Sequence, residues 1–211
     1  MRLFSKNLAA AFVGAVAFVA LSAASQASTV SIFSTGVDGS GNVVAGADQH
    51  YSSTGPTTPY VHPAYVPNDS TSQWIGDENF TPNGSPVGYS VNFTLTEAGD
   101  AILTGSWGVD NQGIDILVNG HSTGISLLGV VVNNFNHLTS FTTTLAQSAF
   151  FQVGLNTLTF LVQNDGGPGA FRAAGLSVTA TPIPPSILMF LTALGGMGFV
   201  AYRRRTASAA A

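Results

Sequence analysis

The chain has 211 residues, of which 45% are hydrophobic, 10% aromatic and only 8% charged, with 24 Gly, 10 Pro and no Cys. So few charges beside so much apolar material is not the composition of a disordered chain, and the Ala/Glu/Lys/Leu bias of a helical bundle is missing, so an all-β domain is the default expectation. The lack of cysteine excludes disulfides, thiolate metal sites and a cysteine nucleophile. The net charge of −4 conceals a stronger asymmetry: five of the six bases, Arg2, Lys6, Arg203, Arg204 and Arg205, lie near the ends, so that Ser28 to Ala180 carries one base, Arg172, against all ten acids. Such a body has no cationic surface with which to neutralise phosphates, and nucleic acid is excluded as a partner.

At the N-terminus, Arg2 and Lys6 precede an uncharged apolar run from Leu8 to Leu21, and Ser25-Gln26-Ala27 follows with a small-x-small pattern. This order of charge, short apolar core and small residues predicts a signal peptide over 1–27, cleaved by signal peptidase between Ala27 and Ser28. The mature body is therefore expected to be exported.

The body, 28–180, begins with a loop-rich half. From Asn42 to Pro86 the chain is dense in Gly, Pro, Ser and Thr and poor in strand signals, so it is expected to wrap the domain as long loops. Period-two alternation then takes over. Tyr89, Val91, Phe93 and Leu95 alternate with Ser90, Asn92, Thr94 and Thr96, the pattern of a strand with one buried face. Ala101 to Val109 and Ile114 to Val118 continue it, the latter ending at Asn119-Gly120, a strong hairpin signal. Leu127 to Val132, Leu138 to Leu145, Leu155 to Val162 and Leu176 to Ala180 read as further strands, and Leu145 to Phe151 as one short helix. Seven or more short strands separated by turn residues predict an antiparallel β-sandwich or jelly roll.

Four groups in the body carry candidate chemistry. Gly120-His121-Ser122-Thr123-Gly124 fits G-x-S-x-G, but a nucleophile elbow joins a strand to a helix, and the residues that follow are strand-like, so a hairpin turn is the expected reading and no catalytic residue is assigned. His50, His62, His121 and His137 show no metal-ligand spacing and read as polar surface. Asp38-Gly39-Ser40-Gly41-Asn42 spaces oxygen donors between glycines, and Asp110-Asn111 with Asp115 offers a second set. Asp38, Asn42, Asp110 and Asp115 are thus candidate calcium ligands, against the alternative of ordinary Asx-turns. Sugar recognition needs an aromatic face with planar amides or carboxylates beside it. Trp74 with Asp77, Glu78 and Asn79, and Trp107 with Asp110 and Asn111, supply those types. Trp107 falls on the inward set of its strand, whereas Trp74, in the loop-rich half, is the one expected to be exposed. Arg172 is expected to pair with an acid.

After the body, Thr181-Pro182-Ile183-Pro184-Pro185 breaks any strand, and the uncharged apolar stretch 187–202 runs into Arg203-Arg204-Arg205, with 206–211 an expected disordered end. As a helix the stretch would be about 24 Å long against a hydrocarbon core of roughly 30 Å, so it predicts a single short transmembrane segment. The arginines place the C-terminus in the cytoplasm and leave the body on the outer side of the inner membrane. A proline break, an apolar helix and a basic stop, in that order, resemble the PEP-CTERM sorting signal over 181–205, with Pro182, Ile183 and Pro184 standing as a Pro-x-Pro variant of its motif. The resemblance implies processing by an exosortase, and a surface or exopolysaccharide-matrix (biofilm) protein as the body; a plain membrane anchor is the alternative. Tyr89 to Thr179 also resembles, more loosely, the galactose-binding-like jelly rolls, through Gly105 to Asn111, Ile116 to Gly120 and Gly154 to Phe160. Three functions follow as expectations: a non-enzymatic matrix protein, a carbohydrate- or calcium-binding module on the same scaffold, and, weakest, a secreted hydrolase.

Overall fold

The computed structural model describes residues 26–80, 85–129, 134–181 and, in the C-terminal segment, 190, 192 and 194–199. The apolar run and charges of the expected signal peptide, Pro182, Ile183 and Pro184 of the sorting motif, and Arg203, Arg204 and Arg205 lie outside the described residues. Among the described residues no helix is long and apolar enough to cross a membrane.

Ten strands are present: β1 (Ser28–Ser31), β2 (Ser52–Ser53), β3 (Ile75–Asp77), β4 (Val87–Leu95), β5 (Ile102–Asp110), β6 (Gln112–Val118), β7 (His121–Ser122), β8 (Thr139–Thr142), β9 (Gly154–Gln163) and β10 (Gly169–Ala180). They form two antiparallel sheets. The first has the order β1-β10-β5-β8, with β3 pairing the opening residues of β10; the second has the order β2-β4-β9-β6-β7. A 3-10 helix, Leu145–Phe150, follows β8 where the short helix was expected.

The alternation read in the sequence decides the packing. In β4, Val87, Tyr89, Val91, Phe93 and Leu95 are buried, while Gly88, Ser90, Asn92 and Thr94 reach solvent in varying degree. The same faces of β5, β9 and β10 supply Trp107, Phe160 and Phe171, whose rings meet in the middle of the sandwich: Phe160 and Phe171 at 4.9 Å between centroids, Tyr89 and Phe171 at 4.9 Å, and Trp107 and Phe160 at 5.6 Å. Burial of such large rings is the main favourable contribution to the domain. Asn119 and Gly120 both have positive φ, 51° and 81°, as the tight turn from β6 to β7 requires.

Three expectations are corrected. Leu127 makes only an isolated bridge to Gly113, and no strand is formed over its described neighbours. β10 begins at Gly169, seven residues before the expected Leu176, because its first part pairs with β3 on one side and β5 on the other. Its register slips between Ala174 and Ser177, where Gly175 adopts φ 61°. The third is β1, which the loop-rich half concealed: Ser28 to Ser31 pairs residue for residue with Ala180 to Ser177.

The long segment between β2 and β4 does wrap the sandwich, and it does so on one face. Gly108 and Arg172 point outward from β5 and β10, yet Trp74 lies over Gly108 so closely that a Cβ there would sit 2.7 Å from its ring. Tyr65, Trp74 and Ala170 form a second small core beneath this strap, with Tyr60, Val66, Phe135 and Leu138 packed against it. Half of the outer face of the first sheet is therefore as dry as its inner face.

Candidate functional site

The strap is held by polar side chains that satisfy its own backbone. Asn68 accepts the Trp74 N–H at 2.7 Å and donates to the Tyr60 carbonyl at 3.1 Å. The Trp74 indole donates to the Val66 carbonyl at 2.8 Å. Arg172, 1% exposed, rises from β10 into the strap and donates to the Pro67 carbonyl (2.7 Å), to Ser72 Oγ (2.8 and 3.0 Å) and to Asp69 Oδ2 (2.5 Å). Burial pushes the Arg172 pKa down, against the pull of Asp69. On Asp69 burial pushes upward, but the Thr71 hydroxyl and amide, Arg172 and the Ser72 amide outweigh it and hold the carboxyl below its usual range.

Anchored in this way, the strap delivers a set of rings and carboxylates to one end of the sandwich. Tyr65 donates its hydroxyl to Asp110 Oδ2 at 2.5 Å, and Tyr60 donates to Glu78 Oε2. The Tyr60 and His62 rings are half-exposed and nearly parallel, 18° apart with centroids at 6.3 Å, and Val61 between them in sequence is 79% exposed. The Tyr65 ring packs edge-on to Tyr60 at 5.8 Å and lies against Trp74 at 4.9 Å and Phe135 at 5.3 Å, so the half-buried Tyr60 rests on buried rings.

Register places the acids at the same end. Asp77 lies opposite Gly169 and Asp110 opposite Ala170, on the two sides of the first residues of β10. Asn111 donates to Asp110 Oδ1 at 2.6 Å and accepts the Asp165 N–H at 2.6 Å, while Gln112 and Gln163 donate to Asp165 at 2.7 and 2.8 Å. Those two amides hold the Asp165 carboxyl below its usual range. Burial pushes Asp110 up, more than the Tyr65 hydroxyl and the nearby His62 pull it down. Burial and the adjacent carboxylates push both Tyr60 and Tyr65 far up, so both remain protonated donors.

Of the candidate sugar-binding residues, the structure joins Asp110 to Asn111, places Asp77 across β10 from them, where it accepts the Asn79 N–H at 2.7 Å, and leaves both tryptophans out. Trp107 is fully buried in the central core, on the inward face expected for it. Trp74 is 1% exposed, not the open ring its loop position suggested: the strap folds back on the sheet and encloses it. Sequence reasoning missed the rings that are presented, Tyr60 and His62. Their signal was the run Tyr60-Val61-His62-Pro63-Ala64-Tyr65, an aromatic cluster inside an otherwise polar loop.

The candidate calcium ligands fall in separate places. Asp38 Oδ1 accepts the N–H groups of Ser40 at 2.8 Å and Asn42 at 2.9 Å, an Asx-turn, and these bonds, Asn42's foremost, lower its pKa. Asp115 accepts from Ser122 Oγ at 2.5 Å and from the Ile116 and Gly124 amides, and it does not share a site with Asp110. Among the described residues no group of three or more His, Asp or Glu could hold a metal ion. Ser122 lies in the extended pair β7 opposite Leu117, with no helix following it, which is a hairpin and not an elbow.

No family model matches the chain, and no curated protein matches it. Among solved structures, it is similar to a family 35 carbohydrate binding module from Clostridium thermocellum (16% identity, 72% of this chain and 97% of that one, TM-score 0.39). It is also similar to a mutant of a family 29 carbohydrate binding module (11%, 73% and 92%, TM-score 0.40). A third is the CBM36-1 domain of a multidomain xylanase from the hindgut metagenome of Trinervitermes trinervoides (12%, 72% and 96%, TM-score 0.35).

Proposed function

We propose that this protein is an exported, non-enzymatic polysaccharide-binding β-sandwich of the cell envelope, which takes its ligand at the Tyr60–His62 end. The observation that carries the reading is the pairing of two half-buried rings with a fixed polar group at one end of the sandwich. Tyr60 and His62 offer flat apolar faces for the carbon side of a pyranose, and Glu78 beside Tyr60 offers an acceptor for its hydroxyls. The Glu78 bond to Tyr60 orients the ring before any ligand arrives, which lowers the entropy cost of binding. The place of Ser122 in a hairpin, bonded to Asp115, supports binding over turnover.

The sequence of the ends supports the envelope location: a signal peptide over 1–27, an apolar segment over 187–202 and an arginine stop, with the tail read by an exosortase or retained as an anchor. Both ends of the body leave the sandwich together, since Ser28 pairs with Ala180, ten residues or about 33 Å along β10 from Ala170.

The test is retention of the full chain on immobilised polysaccharides, spanning glucans, galactans and amino-sugar polymers. Retention by at least one of them, lost in Tyr60→Ala/His62→Ala, is the expected result. Failure of every polymer to retain the protein, or retention unaffected by that double variant, would overturn the site.

A further inference from the structure

The first sheet ends on both sides in unprotected strands. β1 and β8 are four residues long and carry no charge, proline or bulge, the devices that ordinarily blunt a sheet edge, whereas the second sheet ends in β2 and β7, of two residues each. The bonding pattern says which backbone groups are free. Ile32 donates to Leu176 and Thr143 to Leu103, so in register with them Ser28, Val30, Thr139 and Phe141 turn their amides and carbonyls inward, to β10 and β5. Thr29 and Ser31 on one edge, and Ser140 and Thr142 on the other, turn theirs outward, and all of these residues are exposed. The next carbonyl along the β1 edge, that of Phe33, is taken by the Tyr51 hydroxyl at 3.0 Å. Those of Thr29 and Ser31 accept no bond among the described residues. Side chains carry a matching pattern to both edges. On the outer face Thr29 bonds Thr179 at 3.0 Å, Thr104 bonds Ser177 at 3.1 Å and Ser106 bonds Ser140 at 3.0 Å, a run of hydroxyl pairs with no acid in it on a body of ten acids and one base.

We infer that the protein associates with copies of itself, edge to edge: β1 of one copy pairs with β8 of the next, Thr29 opposite Thr142 and Ser31 opposite Ser140, so that the first sheet continues from copy to copy. Strand direction permits it. β1, β10, β5 and β8 are antiparallel in succession, so β8 runs opposite to β1, and a copy displaced sideways without being turned over lays its β8 antiparallel against β1. In this register the outward groups of both edges meet. Each pair exchanges its backbone bonds, and the Thr–Thr and Ser–Ser contacts prolong the hydroxyl pairs of the outer face. Neither strand carries a carboxylate, so the acidic bodies touch where they do not repel. Pairing of β1 with its own copy about Val30 would satisfy one edge and leave β8 bare on both molecules. The head-to-tail contact covers both edges, and because it does not close on itself it builds a row, coiled by the twist of the sheet. Each contact is small, so the row lengthens with concentration.

The chain has no cysteine, so introduced thiols report alone. Directly opposed residues of an antiparallel pair have Cα atoms about 5.5 Å apart, within reach of a disulfide. The full chain in mild detergent, carrying Thr29→Cys/Thr142→Cys and oxidised with copper phenanthroline, should give a ladder of dimers, trimers and higher multiples on a non-reducing gel. The two single variants mixed should stop at dimers, and each alone should give no more than Asn92→Cys, on the outer face of the second sheet. A double variant that gives no more than the Asn92→Cys control overturns the contact. Dimers from Thr29→Cys alone, as abundant as from the mixture, overturn it in favour of two-fold pairing of β1. Sedimentation of the parent chain supplies a reading free of thiols: its coefficient should rise with concentration, and Thr29→Lys/Thr142→Lys, which sets charge against charge at the contact, should hold it at the lowest value. A parent coefficient independent of concentration overturns the inference as well.

Discussion

Tyr65 and Asp110 are 45 residues apart in sequence and joined by one hydrogen bond, 2.5 Å from the hydroxyl to Oδ2, beneath the strap. It couples the loop-rich half of the chain to the end of a central strand, and through Asn111 it reaches the turn that carries Asp165. Burial of Asp110 sets a pH dependence. Asp110 is 4% exposed, and burial raises its pKa above that of the unfolded chain in spite of Tyr65 and His62. The folded state thus holds a proton that the unfolded state releases. This contribution is complete below the unfolded aspartate value, about 4, and is lost as pH rises through the raised folded pKa. Asp110→Asn, which cannot ionise, should lose less stability than the parent as pH rises above about 4. Urea unfolding of both proteins across that range checks it, and a difference independent of pH would refute the coupling.

Asp69 carries the opposite sign. Its carboxyl is held below the usual range, with burial opposed by Thr71, Arg172 and Ser72, so its contribution is present above the unfolded value and is lost as pH falls through the folded one. Its partner Arg172 is the pin of the strap. Arg172→Ala should cost about 3 kcal/mol, because a fully buried side chain and its four bonds into the strap are lost together. In a Trp107→Phe background Trp74 reports alone, and its fluorescence should shift to the red as the strap loosens. An unshifted spectrum would mean the strap is held without Arg172.

Gly113 faces Trp107 at the start of β6, and a Cβ there would lie 2.3 Å from the indole ring. Because Trp107 is enclosed by the central core, it has nowhere to retreat. Gly113→Ala should destabilise by about 2 kcal/mol through overpacking, measured as a lower melting temperature with an unchanged far-ultraviolet spectrum.

Calcium should leave the melting curve unchanged. Asp38 spends one oxygen on two backbone amides, and Asp110 and Asp115 are engaged by separate neighbours, so no described set offers the six or more oxygens the ion takes. A rise in melting temperature on adding calcium, reversed by chelator, would reinstate a site.

The sequence by itself determined most of the sandwich. Alternation from Tyr89 to Leu95, and again through β5, β6 and β9, says which side chains meet the core, because a strand with one wet face writes its environment into every second residue. Asn119-Gly120 announced its turn, since few other residues adopt positive φ there. The early start of β10 left no such trace: Ala170 and Arg172 point outward, but the strap covers them, so both faces are dry and the alternation disappears. Only the tertiary structure decided that Trp74 is enclosed while Tyr60 and His62 are presented, and that Tyr65 and Tyr60 find Asp110 and Glu78. Local pattern records whether a residue is buried by its own element. It does not record burial by a distant segment laid over a second face, and the rings and acids of the candidate site are assembled by that kind of contact.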